Sequence, residues 1–144
     1  MISENKIKHM LGVARKCRDL AINKNLPEDI VDAMFIMGLL HDIGYEYEPD
    51  SNHGHRSFEM ILHFIKHHEL ANDAIMTHGL TTPNMTWSIF DEILNHADMT
   101  TSYNGEPVDI TTRLNGIKQN WPETSVHYKH ATEIAEKLQA LGLE

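Results

Sequence analysis

Apolar residues recur every three or four positions along nearly the whole chain, a spacing that gathers them on one face of an α-helix. In the first segment the stripe is Ile7, Met10, Leu11, Ala14, Cys17 and Ala21, which predicts a helix from about Ser3 to Asn23. No stretch alternates apolar and polar residues over a useful strand length, and no repeat or linker interrupts the pattern. A chain of 144 residues can bury roughly two-thirds of the surface it exposes when unfolded. The expectation is an all-α, compact single-domain helical bundle over residues 1–144, with about six to seven helices.

Local punctuation sets the expected boundaries. Pro27 at a first-turn position, followed by Glu28 and Asp29, starts a second helix, and Gly44 is expected to end it. "PDSNHGH" reads as a turn-rich loop. A third helix is expected over about Arg56 to His68, with Phe58, Ile61, Leu62 and Ile65 on one side, and a short fourth over about Leu70 to His78. The fifth is expected to start with Thr82 as N-cap and Pro83 at its first position, carrying Trp87, Phe90, Ile93, Leu94 and Ala97 as its stripe. Asn104-Gly105 marks a turn or hairpin-like excursion. Two more helices follow, about Ile110 to Asn120 and about Ser125 to Leu141, the latter stopped by Gly142.

Composition narrows the function classes. The apolar fraction of 41% argues against a disordered chain. No run approaches the roughly 20 apolar residues of a membrane span, and "MISENKIKHM" lacks the apolar core of a secretory signal, so a cytoplasmic protein is expected. Cys17 has no second cysteine to pair with and falls on the first stripe, as a core residue would. The net charge of −9, from 21 acidic and 12 basic residues, repels nucleic-acid backbones in the absence of a basic patch. Neither a nucleic-acid polymer nor a membrane is an expected partner, and association into a homodimer is left open. An anionic substrate would need a concentrated positive charge, such as a metal ion. The compositional excess is histidine, with 11 residues.

One segment joins that excess to the core. In "FIMGLLHDIGYEYE", Phe35 to Glu48, an apolar helical run ends without a polar transition in His41 and Asp42. An unpaired acid at the edge of a core is costly to bury, and a metal ion accepting both side chains offsets that cost. Two ligands do not make a stable site, so others must come from different helices. His9, His53, His78 and Asp98 are the candidates, since each has apolar neighbours at helical spacing.

The order of a histidine, a His-Asp pair in the form "HDIG" and a distant aspartate resembles the HD-domain metal-dependent phosphohydrolase superfamily. "HMLGVARKCRDLA" is similar to its first ligand helix, "MGLLHDIG" to its second and "NHADMT" to its last. The stretch from Ala97 to Leu114 is similar to that of a subgroup of small bacterial HD proteins. The resemblance implies that His9, His41, Asp42 and Asp98 ligate one metal. It also implies catalytic places for Asp42, as partner of the attacking water, and for His53 and His78, which would support a second metal or touch the substrate phosphate. His55 is a rival to His53, which leaves the following helix in better step with Ser57 and Ile61.

The function so implied is that of a metal-dependent phosphohydrolase, a phosphomonoesterase or phosphodiesterase acting on a small phosphorylated substrate such as a nucleotide or metabolite. The alternative is a metal- or nucleotide-binding sensor without catalysis. The mixed nitrogen and oxygen donors admit manganese, iron, zinc, cobalt or nickel. Arg56 and Arg113 are the candidates for binding phosphate, with Lys66 a further one, and Glu46 or Glu48 for a general acid or base. His63, His67, His68, His96, His127 and His130 read as surface or satisfied core histidines, and Trp87 and Trp121 as packing residues. A bundle that stores metal or binds haem would instead use His67 and His68.

Overall fold

The computed structural model describes residues 2–46, 53–54, 56–57, 69–79 and 85–144. Six α-helices are described: α1 (Glu4–Asn23), α2 (Glu28–Leu40), α3 (Glu69–Thr77), α4 (Ile89–Met99), α5 (Ile110–Asn120) and α6 (Val126–Ala140). No strand occurs among the described residues; the nearest approach to one is an isolated antiparallel bridge between Thr101 and Pro107. The all-α reading is therefore correct.

Side-chain caps set several helix starts. Ser3, Asp109 and Ser125 accept the backbone N–H three residues on, satisfying donors that the first turn leaves without a helical partner. Two expected boundaries move. α2 ends at Leu40, His41 takes the C-cap position in right-handed geometry, and Ile43–Glu46 forms a 3-10 turn, so Gly44 lies beyond the helix it was expected to stop. A Cβ at Gly44 would stand 2.6 Å from the His53 carbonyl oxygen, so the glycine allows close chain approach. α4 starts at Ile89, because Ser88 and Asp91 form a reciprocal capping box. Trp87 consequently precedes the helix, and its ring lies under the Lys137 ammonium at 4.3 Å.

His53 and Gly54, expected in a loop, have helical backbone. The rest of the helix expected over Arg56 to His68, apart from Arg56 and Ser57, falls outside the described residues. So do Glu48, His55, Lys66, Thr82 and Pro83, and the Glu46 side chain is not described.

Two apolar clusters organise the bundle. The first gathers Val13 and Cys17 from α1, Met34 and Met37 from α2, Ile75 from α3, and Ile93 and Leu94 from α4. The second gathers Met99, Ile110, Ile117, Ile134 and Leu138, from the end of α4 and from α5 and α6. Ile7, expected in the α1 stripe, is exposed, and His9, outside that stripe, is wholly buried. Gly38 lets α1 and α2 meet: a Cβ there would lie 2.8 Å from Ala14 Cα. The Asn-Gly excursion behaves as expected, with Gly105 at φ +84°, and its tip presses on α1 at Gly12. Among the described residues no helix is long and apolar enough to cross a membrane.

Candidate metal centre

Three helical elements bring His9, His41, Asp42 and Asp98 to one point. His9 faces inward from the second turn of α1, His41 and Asp42 follow α2 directly, and Asp98 lies in the last turn of α4. His9 Nε2 is 3.0 Å from Asp98 Oδ1 and 3.6 Å from Asp42 Oδ2. His41 Nε2 is 3.4 Å from Asp42 Oδ2 and 3.9 Å from Asp98 Oδ1. Donors bound at about 2.1 Å to one ion stand roughly 3.0–3.4 Å apart; two of these four distances, 3.0 and 3.4 Å, fall in that range and the other two, 3.6 and 3.9 Å, lie just beyond it.

The far side of each imidazole fixes what the near side can do. His9 Nδ1 donates to the Ser102 carbonyl at 2.9 Å, and His41 Nδ1 donates to the Gly38 carbonyl at 2.7 Å. Each neutral ring then carries its lone pair on Nε2, pointing inward. Those two Nε2 atoms are buried and accept no hydrogen bond. A lone pair 3.0 Å from a carboxylate oxygen is repulsive unless a cation stands between them. The residues therefore fit a divalent metal ion.

A second group shares Asp42. Its Oδ1 lies 3.0 Å from His53 Nε2 and 3.3 Å from His78 Nε2, and the two Nε2 atoms are 2.9 Å apart. His78 Nδ1 donates to the Ile75 carbonyl at 2.6 Å, which points its Nε2 inward at Asp42. One carboxylate thus offers Oδ2 to His9 and His41, and Oδ1 to His53 and His78. Both triads, His9 with His41 and Asp42 and Asp42 with His53 and His78, are buried and close enough to hold an ion. Ser57 connects the chain segments behind them, accepting from Gly44 N at 2.7 Å and donating to the His53 carbonyl at 3.0 Å.

Burial and charge act against each other here. Burial holds His41 down at about 3, well under its usual value, despite the neighbouring Asp42 carboxylate. Burial pushes the Asp42 carboxyl upward, but His41, Lys6 and hydrogen bonds from His53 and His78 outweigh it and leave it well below the carboxylate range. Asp98 is likewise low, since His9 and Arg113 overcome its desolvation. A neutral His41 beside the ionised Asp42 and Asp98 carboxylates is the combination that ligation requires.

A cleft opens over the cluster. Its polar side includes Lys6, Asp42, His53, His78, Asp98 and Arg113. Its apolar side is made by residues of the second cluster, including Met99, Ile117 and Ile134. Arg113 donates from Nε to the Asp98 carbonyl and from one terminal nitrogen to Asp98 Oδ1, both at 3.1 Å, and lies over the Tyr103 ring at 4.6 Å. Its other terminal nitrogen is buried without a hydrogen-bond partner. Arg56 is placed differently: its Nε donates to the Gly44 carbonyl at 3.2 Å, and it is not among the residues lining the cleft.

Lys6, Tyr103 and His127 line the cleft but were given no site role from the sequence. Lys6 Nζ is 2.8 Å from Asp42 Oδ2. Its spacing from His9 is one helical turn, a signal that was there to use. Tyr103 sits under Arg113, in the turn that also supplies the Ser102 carbonyl to His9. His127, read as a surface or satisfied core histidine, lines the cleft, stacks on Trp121 with ring centres 4.5 Å apart, and lies 6.3 Å from the His53 ring. Burial and the neighbouring His53 lower it to about 4. No local pattern marks His127, because the packing of α6 against α4 and α5 brings it there. His96 is a satisfied buried histidine, its Nε2 donating to the Glu144 carbonyl at 3.3 Å.

The HD domain family matches residues 7–141, and the chain belongs to that family. No curated protein and no solved structure gave a significant match.

Proposed function

We propose that this protein is a metal-dependent phosphohydrolase acting on a small phosphate ester, with a nucleotide or phosphorylated metabolite as the substrate class. The observation that carries the reading is the pair of buried, partnerless Nε2 atoms of His9 and His41 facing the carboxylates of Asp42 and Asp98. In this reading those four residues hold the principal ion, and His53 and His78 share Asp42 with it, as holders of a second ion or as contacts to the phosphate. Manganese, iron, zinc, cobalt and nickel all suit these donors. When bound, such an ion supplies Lewis acidity at a phosphoryl oxygen and lowers the pKa of water to about 7.

The remaining roles belong to the chain. Arg113, fixed by Asp98 and Tyr103, keeps one terminal nitrogen for a phosphate oxygen at the cleft wall. Asp42 stays ionised and is the acceptor best placed to orient an attacking water. The apolar side of the cleft receives the rest of the ester and excludes solvent from it. Glu46 and Glu48 stand as candidates for the general acid.

The test is turnover on chromogenic phosphomonoesters and phosphodiesters and on nucleotides, with manganese-loaded protein beside His41→Ala and Asp42→Ala. Metal-dependent hydrolysis lost in both variants is the expected result. Hydrolysis unaffected by either substitution overturns the reading. Manganese binding without turnover on any substrate favours the sensory alternative instead.

A further inference from the structure

Lys6 is the one mobile-stemmed ammonium among the described cleft residues, and it holds an unusual oxygen. Its Nζ is 2.8 Å from Asp42 Oδ2, the same atom that stands 3.6 Å from His9 Nε2 and 3.4 Å from His41 Nε2. The pair is largely shielded, with 15% of the Lys6 side chain and 7% of the Asp42 side chain exposed. The ammonium therefore competes for the oxygen that the first histidine pair would share with a divalent ion. The contrast with Arg113 is instructive. That guanidinium is braced by the Asp98 carbonyl, the Asp98 carboxylate and the Tyr103 ring, whereas a lysine carries its charge as a point on four rotatable methylenes.

We infer that Lys6 is a tethered cation with two positions. In the metal-free protein it pairs with Asp42 and holds the carboxylate in orientation. When a divalent ion takes Oδ2, the ammonium is displaced along the cleft wall and pairs with the phosphate of the substrate or product. The inference rests on the metal reading given above. It extends that reading by assigning Lys6 both a brake on metal affinity and a phosphate contact in the loaded site.

The experiment is calorimetric and uses the full chain. Manganese chloride is titrated into metal-free wild-type protein, Lys6→Met, Lys6→Gln and Lys6→Arg, after circular dichroism establishes that each is folded. Inorganic phosphate is then titrated into the manganese-saturated proteins. Removing the charge of Lys6 should tighten manganese binding about tenfold, the scale of one charged hydrogen bond, and weaken phosphate binding by a similar factor. Lys6→Arg should stay near wild type in both titrations. Equal or weaker manganese binding by the two neutral variants overturns the displacement, and unchanged phosphate binding overturns the second position. Wild-type protein that takes up neither manganese nor, in parallel titrations, iron, zinc, cobalt or nickel is a distinct result, which removes the metal reading together with this one.

Discussion

His41 and Asp42 face the same burial with opposite charge habits, and both are held in the form that keeps fewer protons. His41 is lowered from 6.5 to about 3, His127 from 6.5 to about 4, and Asp42 and Asp98 lie well below 3.8. A group whose pKa is depressed by folding contributes stability above its unfolded value and loses it as pH falls toward the folded one. The melting temperature of chelator-treated protein should accordingly hold between pH 8 and 7, then drop steadily from about pH 6.5 to about pH 4 as the unfolded histidines gain protons. His127→Asn should flatten part of that slope. A melting temperature that rises on acidification over this window contradicts the assignment. The same residue is also expected to matter in the loaded protein: His127→Ala should lower kcat/KM about five- to tenfold, the scale of one hydrogen bond in the cleft, with manganese affinity within about twofold of wild type.

At the scale of elements, the ligands stay in register because glycines let segments touch. Gly44 admits the His53 helical turn against the residues that follow Asp42, and Ser57 closes that contact with two hydrogen bonds. Gly44→Ala should destabilise the fold by about 1–3 kcal/mol through overpacking, measured as a lower denaturation midpoint at unchanged slope. It should also weaken metal binding, because the displaced His53 no longer faces Asp42. An alanine variant with wild-type midpoint and affinity would remove Gly44 from this role. That His9, His41 and Asp98 lie on or directly after helices beside the core was readable in advance, since each has apolar neighbours at helical spacing. Turn and stop positions were readable where a single signal stood alone, as at Gly105 and Gly142. Cap chemistry misled at α4, where Thr82 and Pro83 suggest the start and the Ser88 and Asp91 capping box sets it instead. Gly44 misled for a different reason, since the sequence reveals a glycine but not whether it serves a turn or a close approach. His127 needed the packing of whole helices to be placed, whereas Lys6 stands one turn before His9 on the same helix.

Across the whole molecule, the candidate ligands lie where the two apolar clusters meet, and α4 belongs to both. Phe90, Ile93, Leu94 and Ala97 join the first cluster and Met99 joins the second, with Asp98 between the last two. His9, His41 and Asp42 come from elements of the first cluster, while Arg113, on α5 of the second, grips Asp98 from the other side. An ion held by the first set is therefore coupled through Asp98 to the packing of α5. Without it, the two carboxylates depend on Lys6, Arg113 and their histidine neighbours for compensation. Metal binding should stabilise the entire chain rather than a local loop, by about 2.7 kcal/mol at a free ion concentration 100 times the dissociation constant. For a domain of this size that corresponds to a rise in melting temperature of roughly 5–10 °C, reversed by a chelator. Asp98→Asn keeps the shape of the side chain but gives up the charge that faces His9, so its melting temperature should respond to neither manganese nor chelator. Hydrogen exchange would locate the effect: added manganese should slow amide exchange in α5 as well as in α1 and at the end of α2. Slowing confined to the neighbourhood of His41 and Asp42 would mean that the ion does not join the two clusters.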